Sequence, residues 1–218
     1  NLIALFTPRY EADPQNLDLS KNIVKMMSLT EGCMDNDLFL NAIQTVYTLE
    51  PSASSAYYLY RLYSSRGDVD NAVKYIEEAI NSDESDVLTD AGYYYELATF
   101  CIKNGKNAKA YEAAQQVVEL NPEMAGKAYM LMGTIWGSTV CGGNEIERRA
   151  PYWVAVDFMT KAKNADPALA EDANNYIRQY ANYYPAASEA FMYDVVDGQS
   201  YTVSCGGMRA VTTVRTQK

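Results

Sequence analysis

The chain contains no histidine. That absence removes the imidazole base of serine and cysteine triads, histidine-ligated metal, and the usual proton carrier near neutral pH. Basic charge is scarce as well: 18 Lys and Arg against 28 Asp and Glu leave a net charge of -10. Nucleic-acid binding needs the opposite, a Lys/Arg patch that neutralises phosphates, so nucleic acid is not predicted as a partner. The one dense basic step, Arg148-Arg149, follows Glu145 and Glu147 and reads as a solvated mixed-charge surface. No stretch approaches the roughly 18 uncharged apolar residues of a membrane span. A Gly-rich phosphate loop is missing, and the acidic residues are scattered; Asp83-Glu84-Ser85-Asp86 reads as a solvated loop between helices. The four cysteines, Cys33, Cys101, Cys141 and Cys205, are too widely separated for the paired spacing of a zinc site. These absences predict no catalytic residues, no metal and no cofactor.

What is present is a helix-pair pattern that returns three times. In the first copy Leu59, Tyr60 and Tyr63 share a helical face, Gly67-Asp68 makes a turn, and Ala72, Ile76 and Ala79 form the facing stripe. In the second, Leu97, Ala98 and Cys101 precede Gly105-Lys106, then Ala110, Ala114 and Val117 lead to Asn121-Pro122. The third sets Met132, Gly133 and Trp136 against Ala155, Met159 and Ala162, closing at Asp166-Pro167. Tyr63 to Ala72 and Cys101 to Ala110 are nine residues each, whereas Trp136 to Ala155 is nineteen, so ten residues are inserted in the third turn. Upstream, Ile23, Val24, Met26 and Met27, followed by Phe39, Leu40, Ile43 and Val46, read as a more degenerate fourth pair around Gly32-Cys33. A unit of this kind buries its apolar face only by stacking on its neighbours.

Beyond the repeats, Ala170, Ala173, Ile177 and Tyr180 make one further stripe, ended by Tyr184-Pro185, which suits a helix capping the open edge of the last pair. The period then changes. Tyr201, Val203 and Cys205 alternate with Thr202 and Ser204, Gly206-Gly207 supplies a two-residue turn, and Ala210 to Val214 is rich in Val and Thr. This predicts a β-hairpin. An isolated hairpin is marginal in water, so it should dock on the helices or meet another protein; Phe191, Met192 and Tyr193 are the expected anchors. Cys101 takes an inward helical position as a small hydrophobe. Cys141-Gly142-Gly143 and Cys205-Gly206-Gly207 both fall in Gly-rich turns, one in the insert and one in the tail. Two states are open for them: a disulfide, which belongs to an oxidising compartment, or two reduced turn cysteines.

The bulky, small, aromatic, turn-Gly, small and closing-Pro order of the copies resembles the tetratricopeptide repeat family, with Glu84 standing where a Pro is expected and Tyr60 at a small position. The resemblance covers about residues 20–183. It implies an all-α, right-handed superhelix of three to four helix pairs, here with a C-terminal capping helix and a small β-hairpin. The expected layout is residues 1–19 as the end of a preceding helical repeat, with Leu2, Ile3, Leu5 and Phe6 apolar and unpartnered, so that the chain is a piece of a longer one. Residues 20–167 then form the helix pairs with an insert at 137–149, residues 168–185 the capping helix, and residues 186–218 the hairpin tail.

Members of that family hold peptides or protein segments on the first helix of each pair, and the resemblance carries the same expectation here. The residues at those places are Tyr57, Arg61 and Ser64, then Tyr95, Thr99 and Lys103, then Met130 and Thr134. The set is aromatic and mildly polar, a composition suited to protein contacts, although tyrosines at this spacing also serve as plain packing between helices. The Lys/Asn/Arg clamp of chaperone-binding members is missing, since Tyr57, Arg61, Gly92, Tyr95, Glu96 and Lys127 stand around its places. A noncatalytic protein-interaction scaffold is therefore the expected function. The alternative is a small-molecule or glycan module in which hairpin and insert enclose a pocket near Trp136, Arg148, Trp153 and Tyr201. The insert Cys141-Gly142-Gly143-Asn144-Glu145 and the tail Ser204-Cys205-Gly206-Gly207-Met208-Arg209 look similar to exported bacterial members of the family, which implies an envelope location.

Overall fold

A computed structural model describes residues 1–217, and contains eleven α-helices and one two-stranded antiparallel sheet among them. The chain forms two compact units, Asn1–Asp86 and Val87–Lys218.

The first unit holds α1 (Leu2–Ala12), α2 (Leu17–Ser28), α3 (Asp37–Leu49), α4 (Ala53–Ser65) and α5 (Val69–Ile80). Helix starts follow local capping chemistry. The side chain of Asn16 accepts from the Leu19 amide (2.9 Å), Asn36 from Phe39 (3.0 Å) and Asp68 from Asn71 (3.2 Å), while Ser52 and Ser55 cap α4 reciprocally. Gly67 ends α4 with φ of +74°, a conformation that favours glycine. The core is formed by Phe6, Ile23, Met27, Phe39, Ile43 and Leu59 with their neighbours. Phe6 therefore has partners within this unit, and α2 begins at Leu17, before the expected boundary at residue 20. Glu84, at the place of the missing Pro, accepts a hydrogen bond from the Ala53 amide (3.1 Å) at the start of α4, where a carboxylate also suits the helix dipole.

The second unit holds α6 (Val87–Lys103), α7 (Asn107–Leu120), α8 (Ala125–Ser138), α9 (Glu145–Ala165), α10 (Ala170–Ala181), α11 (Ala187–Met192), β1 (Ser200–Cys205) and β2 (Met208–Thr213). Helix α6 pairs with α7, α8 with α9, and α10 packs on α9. Small residues permit the close approach of α8 and α9: a Cβ added at Gly126 would lie 2.7 Å from the Cβ of Asp166, and one at Gly133 would lie 3.1 Å from the carbonyl oxygen of Ala155. One at Gly137 would run into the ring of Tyr180, so that glycine is the seat of the capping helix.

Two expectations change here. The expected insert at 137–149 shrinks to a loop over 139–144, because α8 continues through Ser138 and α9 starts at Glu145. The reason is a capping box: Asn144 accepts from the amides of Ile146 and Glu147 (2.9 Å each), and Glu147 accepts from the Asn144 amide (2.7 Å). The tail also begins with α11 before the hairpin. Phe191, Met192 and Tyr193 are 72%, 81% and 44% exposed and do not anchor the hairpin; Val195, Val203, Met208 and Val214 are buried instead. The two hairpin glycines both have positive φ (59° and 78°), as a tight two-residue turn requires.

Tyr180 is buried among tyrosines, with ring centroids 5.8 Å from Tyr176 and 5.9 Å from Tyr152. Burial, reinforced by those two neighbours, pushes its phenol up to about 12, and burial raises Tyr152 and Tyr111 as well. A raised folded-state value means that the native unit keeps protons which the unfolded chain releases near pH 10. Stability of the Val87–Lys218 unit is therefore expected to be unaffected by these tyrosines below pH 10 and to fall between pH 10 and 12. Urea midpoints measured at half-unit intervals from pH 8 check this; a flat profile across that window contradicts it.

Candidate functional site

On the first unit, α4 presents Tyr57 half-buried, Arg61 exposed and Ser64 half-buried. Tyr57 and Arg61 line a small cleft of about 180 Å³ together with Met34, Phe39, Tyr58 and Leu62. Ser64 is not on its wall; Ser65 is. The guanidinium of Arg61 donates to the Tyr57 hydroxyl (3.4 Å), and Asp35 at the rim pairs with Arg66 (3.4 Å), which also reaches Asp37 (3.1 Å). The floor is built by Phe39 and Tyr58, whose rings meet edge to face at 6.1 Å. The cleft thus offers an apolar, aromatic interior with one guanidinium, Arg61, and one carboxylate, Asp35, on its wall. Tyr63 lies elsewhere: it stacks on Tyr75 (5.5 Å) and its hydroxyl accepts from Gln44 (2.7 Å), so it packs helices together.

On the second unit, Tyr95, Thr99, Met130 and Thr134 are half-buried and Lys103 is exposed. Both threonine hydroxyls are turned back onto their own helices. Thr99 donates to the carbonyls of Tyr95 (3.0 Å) and Glu96 (2.9 Å), and Thr134 to that of Met130 (2.9 Å). Their methyl groups, together with Tyr95, Met130 and the exposed Lys103, are what these positions can offer a ligand.

The hairpin sits on α9. The Trp153 indole donates to the Arg215 carbonyl (2.9 Å), the Arg215 guanidinium donates to the Trp153 carbonyl (3.2 Å) and pairs with Asp157, and the Thr212 hydroxyl bonds Asp157. Trp153 and Tyr201 meet edge to face at 5.5 Å. Cys141 and Cys205 are joined by a disulfide, with their Cα atoms 5.7 Å apart, while Cys33 and Cys101 take no part in one. Cys101 is buried in α6. A cleft of about 560 Å³ opens between β1 and the 140–143 loop, bordered also by Glu147 and Ala150. Burial and the nearby Glu147 carboxylate raise the Tyr201 phenol above its ordinary value. Of the four residues expected to line an enclosed pocket here, only Tyr201 does. Trp136 and Trp153 are fully buried in the core, and Arg148 is turned to Glu145 (3.2 Å). The hairpin and the insert do border a common cleft, but its walls are the Cys-Gly-Gly loop and β1 rather than the two tryptophans.

Among the described residues, no group of three or more Cys, Asp or Glu side chains is arranged to hold a metal ion, and no helix is long and apolar enough to cross a membrane.

Antiparallel helix pairs with small residues at their crossings define an α-helical repeat protein. The family model for the tetratricopeptide repeat matches residues 61–86 and 91–124, the first and second copies, so the chain carries tetratricopeptide repeats over those residues. Two crystal structures of MamA are similar in fold: each shares 20% identity at a TM-score of 0.55 over 78% of this chain, covering 83% and 89% of theirs. The crystal structure of YrrB, a tetratricopeptide protein described as having an unusual peptide-binding site, aligns over 87% of this chain and 97% of its own at 16% identity. Its TM-score is 0.46. No curated protein matches the sequence.

Proposed function

We propose that this protein is a noncatalytic scaffold that holds a peptide or protein segment on the first helices of its pairs. The observation that carries the reading is the cleft on the first unit, where Tyr57 and Arg61 flank an apolar floor beside Phe39 and Tyr58. An aromatic wall with one guanidinium suits a bulky apolar side chain followed by an acidic or carbonyl group, the combination that gives interfaces their strongest contacts. Tyr95, Thr99, Lys103, Met130 and Thr134 extend the same chemistry on the second unit. The test is to pan a random peptide library displayed on phage against the protein. Selected peptides are expected to lose at least tenfold in affinity for Tyr57→Ala and for Arg61→Ala. Peptides that bind both variants as tightly as the parent sink the reading.

The disulfide supports an oxidising compartment, in keeping with an exported, envelope-located protein, because cytosolic thiols are held reduced. Alkylation of the protein from its native host under denaturing, nonreducing conditions, followed by peptide mapping, is expected to recover Cys141 and Cys205 linked. Alkylated Cys141 and Cys205 peptides would place the protein in a reducing compartment instead.

A further inference from the structure

The sheet has only two strands, so β1 and β2 each have an open edge. Cys205 and Met208 flank the two-residue turn and form a hydrogen-bonded pair, as such turns require. Pairing then alternates, so the ladder bonds fall at Cys205, Val203 and Tyr201. The Val214 amide, which donates to the Gln199 carbonyl (2.8 Å), continues the same alternation. The N–H and C=O of Thr202 and Ser204 consequently point away from β2. That edge faces the 560 Å³ cleft, whose wall includes every residue from Tyr201 to Gly206. Backbone edges of this kind are templates for a further strand, and native proteins usually cover or blunt them. Here the opposite bank carries Val140, 94% exposed, and the Glu147 carboxylate.

We propose that the cleft takes an extended peptide segment as a third strand against β1, with a basic side chain toward Glu147 and a β-branched or apolar one against Val140. The outward groups of Thr202 and Ser204 offer two donors and two acceptors in strand register, which fixes an extended backbone independently of its sequence. Glu147 adds charge selection. One of its oxygens is committed to the Asn144 amide, the neighbouring Arg148 and Arg149 are paired with Glu145, and the chain as a whole carries a net charge of -10, so a cationic residue is favoured over an acidic one. The volume lies in the range of ligand sites, and the residues from Tyr201 to Gly206 border it in sequence, so an extended backbone laid along β1 would lie within it. This site is separate from the helix surface around Tyr57.

The test uses the oxidised full chain, labelled for amide exchange by NMR. The probes are two pools of acetylated, amidated hexapeptides with Val, Ile or Thr at alternate positions, one pool with Lys and the other with Glu at position three. The Lys pool is expected to slow exchange at the Thr202 and Ser204 amides at least tenfold while leaving the ladder-bonded Val203 amide unchanged. Thr202→Pro removes an outward N–H without touching the β1–β2 ladder. It is expected to lower affinity for the Lys pool at least tenfold, with unchanged protection at Val203 and Cys205 showing that the hairpin is intact. Glu147→Gln, which keeps the capping hydrogen bond, is expected to reduce the preference for Lys over Glu to less than threefold. Exchange at Thr202 and Ser204 that neither pool slows overturns the proposal, as does undiminished binding to Thr202→Pro. Protection of the two amides that rises with protein concentration and no peptide assigns the edge to a second copy and overturns it too. Tyr57→Ala leaves this readout unmoved, so the edge and the helix surface succeed or fail independently.

Discussion

Replacing both Cys141 and Cys205 by serine is expected to lower the unfolding free energy of the Val87–Lys218 unit by about 4 kcal/mol. The bond spans a sequence separation of 64 residues, and the chain-entropy model assigns that magnitude to a loop of this length. Guanidinium unfolding followed by tryptophan fluorescence reads the effect cleanly, because both tryptophans, Trp136 and Trp153, belong to this unit. The parent protein in reductant should unfold at the midpoint and with the m-value of the double variant. A parent midpoint that reductant does not move would show that the bond contributes nothing to stability.

Trp153→Ala is the second large effect, with an expected loss of about 3–5 kcal/mol. The side chain is fully buried, so its removal leaves a cavity in α9's packing surface. It also strips the Arg215 carbonyl of its donor and Tyr201 of its edge contact. Trp153→Phe keeps most of the packing and removes the hydrogen bond, for which about 1 kcal/mol is expected. Circular dichroism during urea unfolding measures both, and a loss below 1 kcal/mol for the alanine variant would refute the packing role. The disulfide and the Trp153 contacts hold the same hairpin, so their losses are not expected to add.

The repeat turns were legible because their chemistry is local. Gly67 and Gly105 adopt positive φ at the ends of α4 and α6, as their place in the copies predicts. Asn121-Pro122 and Asp166-Pro167 each open a short 3-10 turn in which the Asn or Asp side chain accepts the amide two residues on, at 3.2 and 3.0 Å. The start of α9 at Glu145, inside the expected insert, carries a local signal as well, the capping-box spacing of Asn144 and Glu147, although Pro151 stands inside the helix. A proline reads as a helix start, since it lacks the N–H that an interior position donates. Phe191, Met192 and Tyr193 misled because apolar character measures what burial would gain, not whether a surface is within reach; here smaller residues reach it first.

The candidate sites were legible only in part. Tyr57 and Arg61 lie four residues apart on one helix face, so spacing alone brings them together. The cleft between them also needs Met34 and Phe39 from outside α4, and no period in the chain announces those. Thr99 and Thr134 occupy the places that the repeat assigns them, yet both hydroxyls are spent on carbonyls of their own helices.

The amino-acid sequence alone settled the helix pairs, their turns and the hairpin, because each depends on residues near one another in the chain, from the four positions of a helical turn to the 13 that separate Ser200 from Thr213. Folding in three dimensions settled where the hairpin lies, which cysteines meet, and that an open strand edge borders a cleft. Those features rest on contacts between residues 55, 62 and 64 positions apart, Thr212 with Asp157, Trp153 with Arg215, and Cys141 with Cys205. Periodicity and propensity carry no information at that range, since such contacts form only after the helices between them have packed.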